Sequence, residues 1–256
     1  MKKLKITFFM FSSIFLSACN DKEDVRTLLE KAEIKYQEKD YYQTHQLLEK
    51  AAKLGSGEAE YQLSKLYALG QGVEKNTNRY FQLLENSAKK GELKALKSLG
   101  AEYYSGNVIT RDYGKAFPLF KEAALRGDVD SQVYLGRMYH YGNGVEKDYV
   151  KALEWYRKAA NENDTGAILE IGRMYRDGKG VKQDLDMAIA TLQSAIKDSN
   201  KIIDISTNAT ISVEIADIYT DAYFKTKNDE YGKNAMYWSE KFREFSKKEK
   251  ELLNKQ

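Results

Sequence analysis

The chain has 256 residues, with 41 Lys and Arg against 38 Asp and Glu, and it contains two histidines, one proline and one cysteine. One cysteine excludes an internal disulfide, and with only His45 and His140 beside it the usual ligands of a zinc site, or the partners of a Cys-His nucleophile, cannot be assembled; no metal or cofactor is expected. Lys2, Lys3 and Lys5 account for the whole positive excess, so the remaining chain is formally neutral, gives no electrostatic case for nucleic acid, and reads as a soluble helical body.

The first eighteen residues fall into three zones: the basic start, an apolar stretch from Ile6 to Leu16, and the small pair Ser17 and Ala18 before Cys19. That order describes a secretory signal. As a helix the apolar stretch reaches only about 16 Å, roughly half of a bilayer core near 30 Å, so it is too short to span. Leu16-Ser17-Ala18-Cys19 resembles the lipobox of bacterial lipoproteins, which implies cleavage before Cys19, lipidation of its thiol and a membrane anchor. The alternatives are an ordinary signal peptide with a chance cysteine near the cut, or a buried thiol. By resemblance to enterobacterial sorting, Asn20 in place of an aspartate favours the outer membrane, while Asp21 and an unspecified host weaken that preference. The expected organisation is a leader over 1–18, a lipidated tether over 19–23 and a capping helix over 24–39, in which Asp24 to Gln37 has an amphipathic pattern.

A repeat of 36 residues then begins. Gly70, Gly106, Gly142 and Gly178 keep that step, as do Tyr67, Tyr103, Tyr139 and Tyr175, and Leu48, Leu84, Phe120 and Tyr156. Each copy divides into two helical stretches. In "YGKAFPLFKEAALRG" the apolar residues stand at helical spacing, Gly127 supplies a left-handed end, and Asp128 can cap the following "VDSQVYLGRMYHYG". The loops "GQGVEKN", "GNVITRD", "GNGVEKD" and "GKGVKQD" each end one helix and offer Asn76, Asp112, Asp148 or Asp184 as the next N-cap. Without a preceding strand they do not read as phosphate cradles. Gly100, Gly136 and Gly172 fall inside second helices, where a repeated glycine predicts that two backbones approach closely.

"FKEAALRG", "YLGRMYHYGNGVEKDYVKAL", "WYRKAA" and "IGRMYRDGKGVKQD" resemble the Sel-one-like repeat proteins, relatives of the tetratricopeptide repeats. The resemblance covers Tyr41 to about Ala195 and implies an all-α, right-handed superhelical solenoid of antiparallel helix hairpins with a 36-residue period. The second copy departs from it at Val108, in place of the second loop glycine, and at Ser87, in place of an alanine; neither change is expected to alter the fold. Four copies are expected over 40–184. A degenerate fifth with an insertion follows over 185–229, because "DSNKIIDISTNATISV" breaks the period with β-branched residues and "EIADIYTDAY" reads as a displaced second helix. A capping helix over 230–256 closes the chain, its alanine pair replaced by Lys241 and Phe242.

Chemistry is sparse. One branch of the resembled family, rich in paired cysteines, is associated with β-lactamase-like activity. The two Ser-x-x-Lys sequences here, Ser87 to Lys90 and Ser194 to Lys197, lack the accompanying Ser-Asp-Asn and Lys-Thr-Gly motifs, so no enzyme is expected and a hydrolase is only a remote alternative. Repeat positions that vary between copies are free to serve a partner. Those picked out are Tyr104, His140, Tyr141 and Arg176 at the ends of second helices, with Lys121 and Arg157 on first helices; tyrosine and arginine are favoured interface residues. Ordinary solvated helix ends would show the same variation, but His140 reads better as solvent-facing or partner-facing. The expectation is a lipid-anchored, periplasm-facing repeat protein that binds a protein. By the resemblance, the partner is a secreted toxin such as a phospholipase, which an immunity protein would neutralise by covering its active-site mouth with the concave face, or else an envelope protein held by a scaffold.

Overall fold

The structure is a computed structural model that describes residues 24–196 and 202–254; Cys19 and the rest of the leader lie outside them. Among the described residues the chain is helical throughout, with α1 (Val25–Gln37) followed by the hairpins α2 (Tyr41–Lys53) and α3 (Gly57–Leu69), α4 (Thr77–Lys89) and α5 (Leu93–Ser105), α6 (Tyr113–Leu125) and α7 (Val129–Tyr141), and α8 (Tyr149–Asn161) and α9 (Thr165–Asp177). Then come α10 (Leu185–Ser194), α11 (Ile202–Thr226) and α12 (Asp229–Leu253). The contacts divide the chain into two compact units, residues 1–80 and 81–256.

Local chemistry sets the helix ends. The side chains of Asn76, Asp112, Asp148 and Asp184 accept from backbone N–H groups three residues on at 2.9–3.0 Å. Such caps are worth about 1 kcal/mol each. Each capping residue also donates its own N–H to the carbonyl of the repeat tyrosine behind it: Asn76 to Tyr67, Asp112 to Tyr103, Asp148 to Tyr139 and Asp184 to Tyr175, at 2.8–3.0 Å. The loop is therefore pinned to the helix it leaves as well as to the helix it enters. Its second glycine is required sterically: a Cβ on Gly144 or Gly180 would lie 2.4 or 2.6 Å from the carbonyl oxygen of Tyr113 or Tyr149, on the first turn of the same copy. Val108 at this position leaves α5 and α6 at thirteen residues each and changes only the loop, where Arg111 donates to the Ser105 carbonyl at 3.0 and 3.3 Å.

In the first unit, α1 packs on α2 through Leu28 and Ala32, and Leu48, Leu63 and Leu66 are buried between hairpin helices. In the second unit one large side chain per copy fills the space between helices: Phe120, Tyr156 and Leu192 are at most 1% exposed. These side chains correct the expectation for the helix glycines. A Cβ on Gly100, Gly136 or Gly172 would lie 3.0 Å from the Phe120 ring, 2.5 Å from the Tyr156 ring or 2.7 Å from Leu192. The glycine thus admits a bulky neighbouring side chain into the space, not a neighbouring backbone.

The period ends at α10. From Ile202 the stretch expected to interrupt the helices forms, together with its continuation, a single helix of 25 residues. Ile211, Ile215 and Ile218 lie on one face and pack against Ala188, Ile189 and Leu192 of α10. Burial of that face outweighs the weak helix preference of β-branched residues. The hydroxyls of Thr210, Ser212, Thr220 and Thr226 donate to carbonyls four residues back, which satisfies them without breaking the helix. Helix α12 packs along α11 and leaves Met236 and Tyr237 exposed.

Candidate functional site

Within the second unit, α5, α7 and α9 carry a groove of about 490 Å³. Its floor is Tyr134, whose ring stacks on the buried Phe120 with centroids 4.4 Å apart and planes 7° apart. Tyr104, from the end of α5, meets Tyr134 edge-on at 5.2 Å and Tyr113 at the same distance. One wall is an ion pair across neighbouring copies: Lys97 of α5 reaches Asp130 at 2.7 Å and Asp128 at 3.4 Å. The two aspartates and the hydrogen bond to Asp130 raise the lysine pKa above its usual value. At the far end Asp164 accepts from the Ala167 N–H at 2.7 Å and so is committed to starting α9.

Arg137 also lines the groove. It is half-buried and makes no hydrogen bond or ion pair among the described residues. Beside it is the fully buried Tyr156, whose hydroxyl has no hydrogen-bond partner. Burial pushes that phenol far above its ordinary pKa, the charge of Glu170 adds to the rise, and Arg137 opposes it.

The residues picked out from sequence separate on inspection of the structure. Tyr104 is half-buried, a wall of the aromatic cluster around the groove rather than a free helix end. His140 is a correction: it is 8% exposed, its Nδ1 is buried without a partner, and its ring lies against Tyr141 at 4.7 Å and Tyr149 at 5.2 Å. Burial lowers its pKa, so neither solvent nor a partner meets it freely. The ring fits because the last turn of α7 tucks under the first residue of α8. Tyr141, one residue on, is 59% exposed. Arg176 is tied to Asp177 at 2.8 Å, which Lys179 also holds. Lys121 and Arg157 lie on first helices, both exposed, and Arg157 donates to the Tyr175 hydroxyl at 3.0 Å. On that side a second groove of about 450 Å³ runs between α4, α5 and α6, where the Tyr103 hydroxyl donates to Glu85 at 3.2 Å and Lys115 sits 5.1 Å over the ring. Sequence reasoning missed Tyr134, Arg137 and Lys97. The same test of variation between copies finds all three, since Lys97, Val133 and Leu169 share one register position, Ser98, Tyr134 and Glu170 another, and Ala101, Arg137 and Arg173 a third.

Of the two Ser-x-x-Lys sequences, Ser87 is fully buried and the Ser194 hydroxyl donates to the Thr191 carbonyl at 2.6 Å, while Lys197 lies outside the described residues. Among the described residues no three His, Cys, Asp or Glu side chains gather where they could hold a metal, and no helix is long and apolar enough to cross a membrane.

The sequence matches the family profile of the Sel1 repeat at residues 35–56, 57–92, 93–128, 129–164 and 166–200. The last four of those units start with a second helix, half a copy out of phase with the division used above, and the first, 35–56, holds α2. Among solved structures the chain is similar to a Sel1 repeat protein from Oxalobacter formigenes, at 26% identity over 84% of each chain with a TM-score of 0.68. It is also similar to c5321, a protective antigen present in uropathogenic Escherichia coli strains, at 25% identity and a TM-score of 0.58, covering 78% of this chain and 48% of that one. A likeness of fold alone links it to the C-terminal part of a TPR repeat-containing protein from Cytophaga hutchinsonii, at 17% identity over 89% of this chain and 88% of that one, with a TM-score of 0.55. No curated protein matches the sequence.

Proposed function

Because this chain belongs to the Sel1 repeat family, we propose that it works by binding another protein, from a lipid anchor at Cys19 and facing the periplasm, with no catalysis of its own. The groove carries this reading. An aromatic floor and a half-buried arginine without a partner among the described residues, presented by three second helices, form the kind of patch that anchors an interface. Stacked repeats supply the extended face around it. The leader and Leu16-Ser17-Ala18-Cys19 support the anchor, and Asn20 favours the outer over the inner membrane, with Asp21 weighing against it. Holding the protein at a membrane raises its effective concentration against anything acting there. The role that the sequence resemblance favours is neutralisation of a secreted toxin such as a phospholipase by covering its active-site mouth.

The test is cross-linked affinity capture of the tagged, lipidated protein from its own envelope, followed by mass spectrometry. A near-stoichiometric toxin or lipase is the expected result. Envelope-assembly or wall enzymes in its place would make the protein a scaffold, and capture of nothing would overturn the binding role. Palmitate labelling that persists in Cys19→Ser would remove the anchor.

A further inference from the structure

Resting on the reading that the chain binds a protein, we propose that the groove of α5, α7 and α9 receives an acidic segment of that partner, with Arg137 holding one Asp or Glu side-chain carboxylate in the groove. Three observations converge on this occupant. First, the other charges in and beside the groove are already committed: Asp130 to Lys97, Asp164 to the Ala167 N–H, and Glu170 to Arg173 at 2.9 Å. Among the described residues, Arg137 alone of the groove's charged side chains keeps its donors open, in a half-buried position where water solvates it incompletely. A guanidinium so placed favours a planar, two-oxygen acceptor over a point anion.

Second, the molecule displays the occupied form of the same position. Arg173 stands 36 residues after Arg137, at the same register of the next second helix. It is held by Glu214 of α11, with Nε 2.9 Å from Oε1 and 3.1 Å from Oε2 and Nη2 also donating to Oε1, while Nη1 donates to Glu170. At that position α11 brings a side-chain carboxylate to the arginine, whereas the carboxylate that α9 carries beside the Arg137 groove, Glu170, is bonded to Arg173. Third, the setting is built for a docked side chain: Tyr134 and Tyr104 give a rigid aromatic surface, and the buried Tyr156 hydroxyl beside the arginine lacks an acceptor. The chain's own example is a glutamate side chain, and this decides between a side-chain carboxylate and a chain terminus.

The probe is a pool of acetylated, amidated nonapeptides with a central Glu among Ala, Leu and Tyr residues, set against the same pool with central Gln, on the mature lipidated protein in detergent. The Glu pool should be retained over the Gln pool. Arg137→Gln should weaken that retention about 10- to 100-fold, Arg137→Lys should restore part of it, and the exposed Lys182→Gln should leave it unchanged. Equal retention of the two pools, or an Arg137→Gln protein that binds as the parent does, overturns the proposal. So does a Gln pool with free carboxyl termini that binds as well as the Glu pool. Unchanged thermal unfolding of Arg137→Gln excludes misfolding as the cause. Repeating the envelope capture with Arg137→Gln separates the two readings: a partner held equally by parent and variant sinks the acidic-segment proposal and leaves the binding function standing, whereas a parent that captures nothing sinks the function while the peptides still decide the groove.

Discussion

The array α5 to α9 and the terminal pair α11 and α12 solve the same burial problem at different lengths. Helices of thirteen residues are too short to be stable alone, so each array helix depends on its neighbour, and one bulky side chain per copy, Phe120 or Tyr156, seals the interface against a glycine. The terminal helices have 25 residues each; α11 buries small and β-branched side chains along its length with no single plug, and α12 buries Ala235. The array therefore repeats its core while its surface positions vary from copy to copy, and among the described residues it leaves Arg137 open. The terminal pair fills the equivalent position, Arg173, with Glu214. One lesson follows: in a stack of copies, a side chain's role depends on what the next element brings to it.

The largest break in that comparison should come from Tyr156→Ala. It empties a fully buried site and is expected to cost about 3–5 kcal/mol in urea unfolding followed by circular dichroism. Gly136→Ala tests the same interface from the other side. Its Cβ would stand 2.5 Å from the Tyr156 ring, and overpacking of this kind costs about 1–3 kcal/mol. At the junction with the terminal pair, Arg173→Gln leaves Glu214, 9% exposed, without its counter-charge. The partial exposure of the arginine keeps the expected loss to about 1–2 kcal/mol, with faster amide exchange in α11 as its signature.

A smaller effect separates the regions by pH, since His140 belongs to the array and both described histidines have lowered pKa values. A histidine buried in its neutral form binds its proton more readily once unfolded. Its contribution is therefore intact above the ordinary value of 6.5 and is lost as pH falls below that value toward the folded pKa. The melting temperature should drop between pH 7 and pH 5, and His140→Gln should flatten part of that slope. The smallest effect sharpens the contrast between the two arginines: Arg137→Gln should change stability by no more than about 0.5 kcal/mol, because it breaks no hydrogen bond or ion pair among the described residues. A loss as large as that of Arg173→Gln would mean that Arg137 has an internal partner after all.

The sequence by itself determined the hairpins, their 36-residue step and their ends. Those features come from interactions within a few residues: Asp112, Asp148 and Asp184 cap the helix that follows them, and the loop glycines at 70, 142 and 178 take left-handed angles that other residues resist. The repetition also made the core positions legible, since Leu48, Leu84, Phe120 and Tyr156 are all fully buried. Only the tertiary structure decided which varying positions face solvent. His140 and Arg176 look alike as helix-end residues, yet one is sealed against Tyr149 and the other is paired on the surface with Asp177. The β-branched run after residue 201 was equally opaque, because its helix is set by burial against α10 and not by local preference. Arg137 and Arg173 are identical in type and register; Arg173 is filled because Glu214, 41 residues along the chain, folds back onto it, and that long-range placement is not read from the local sequence around either arginine.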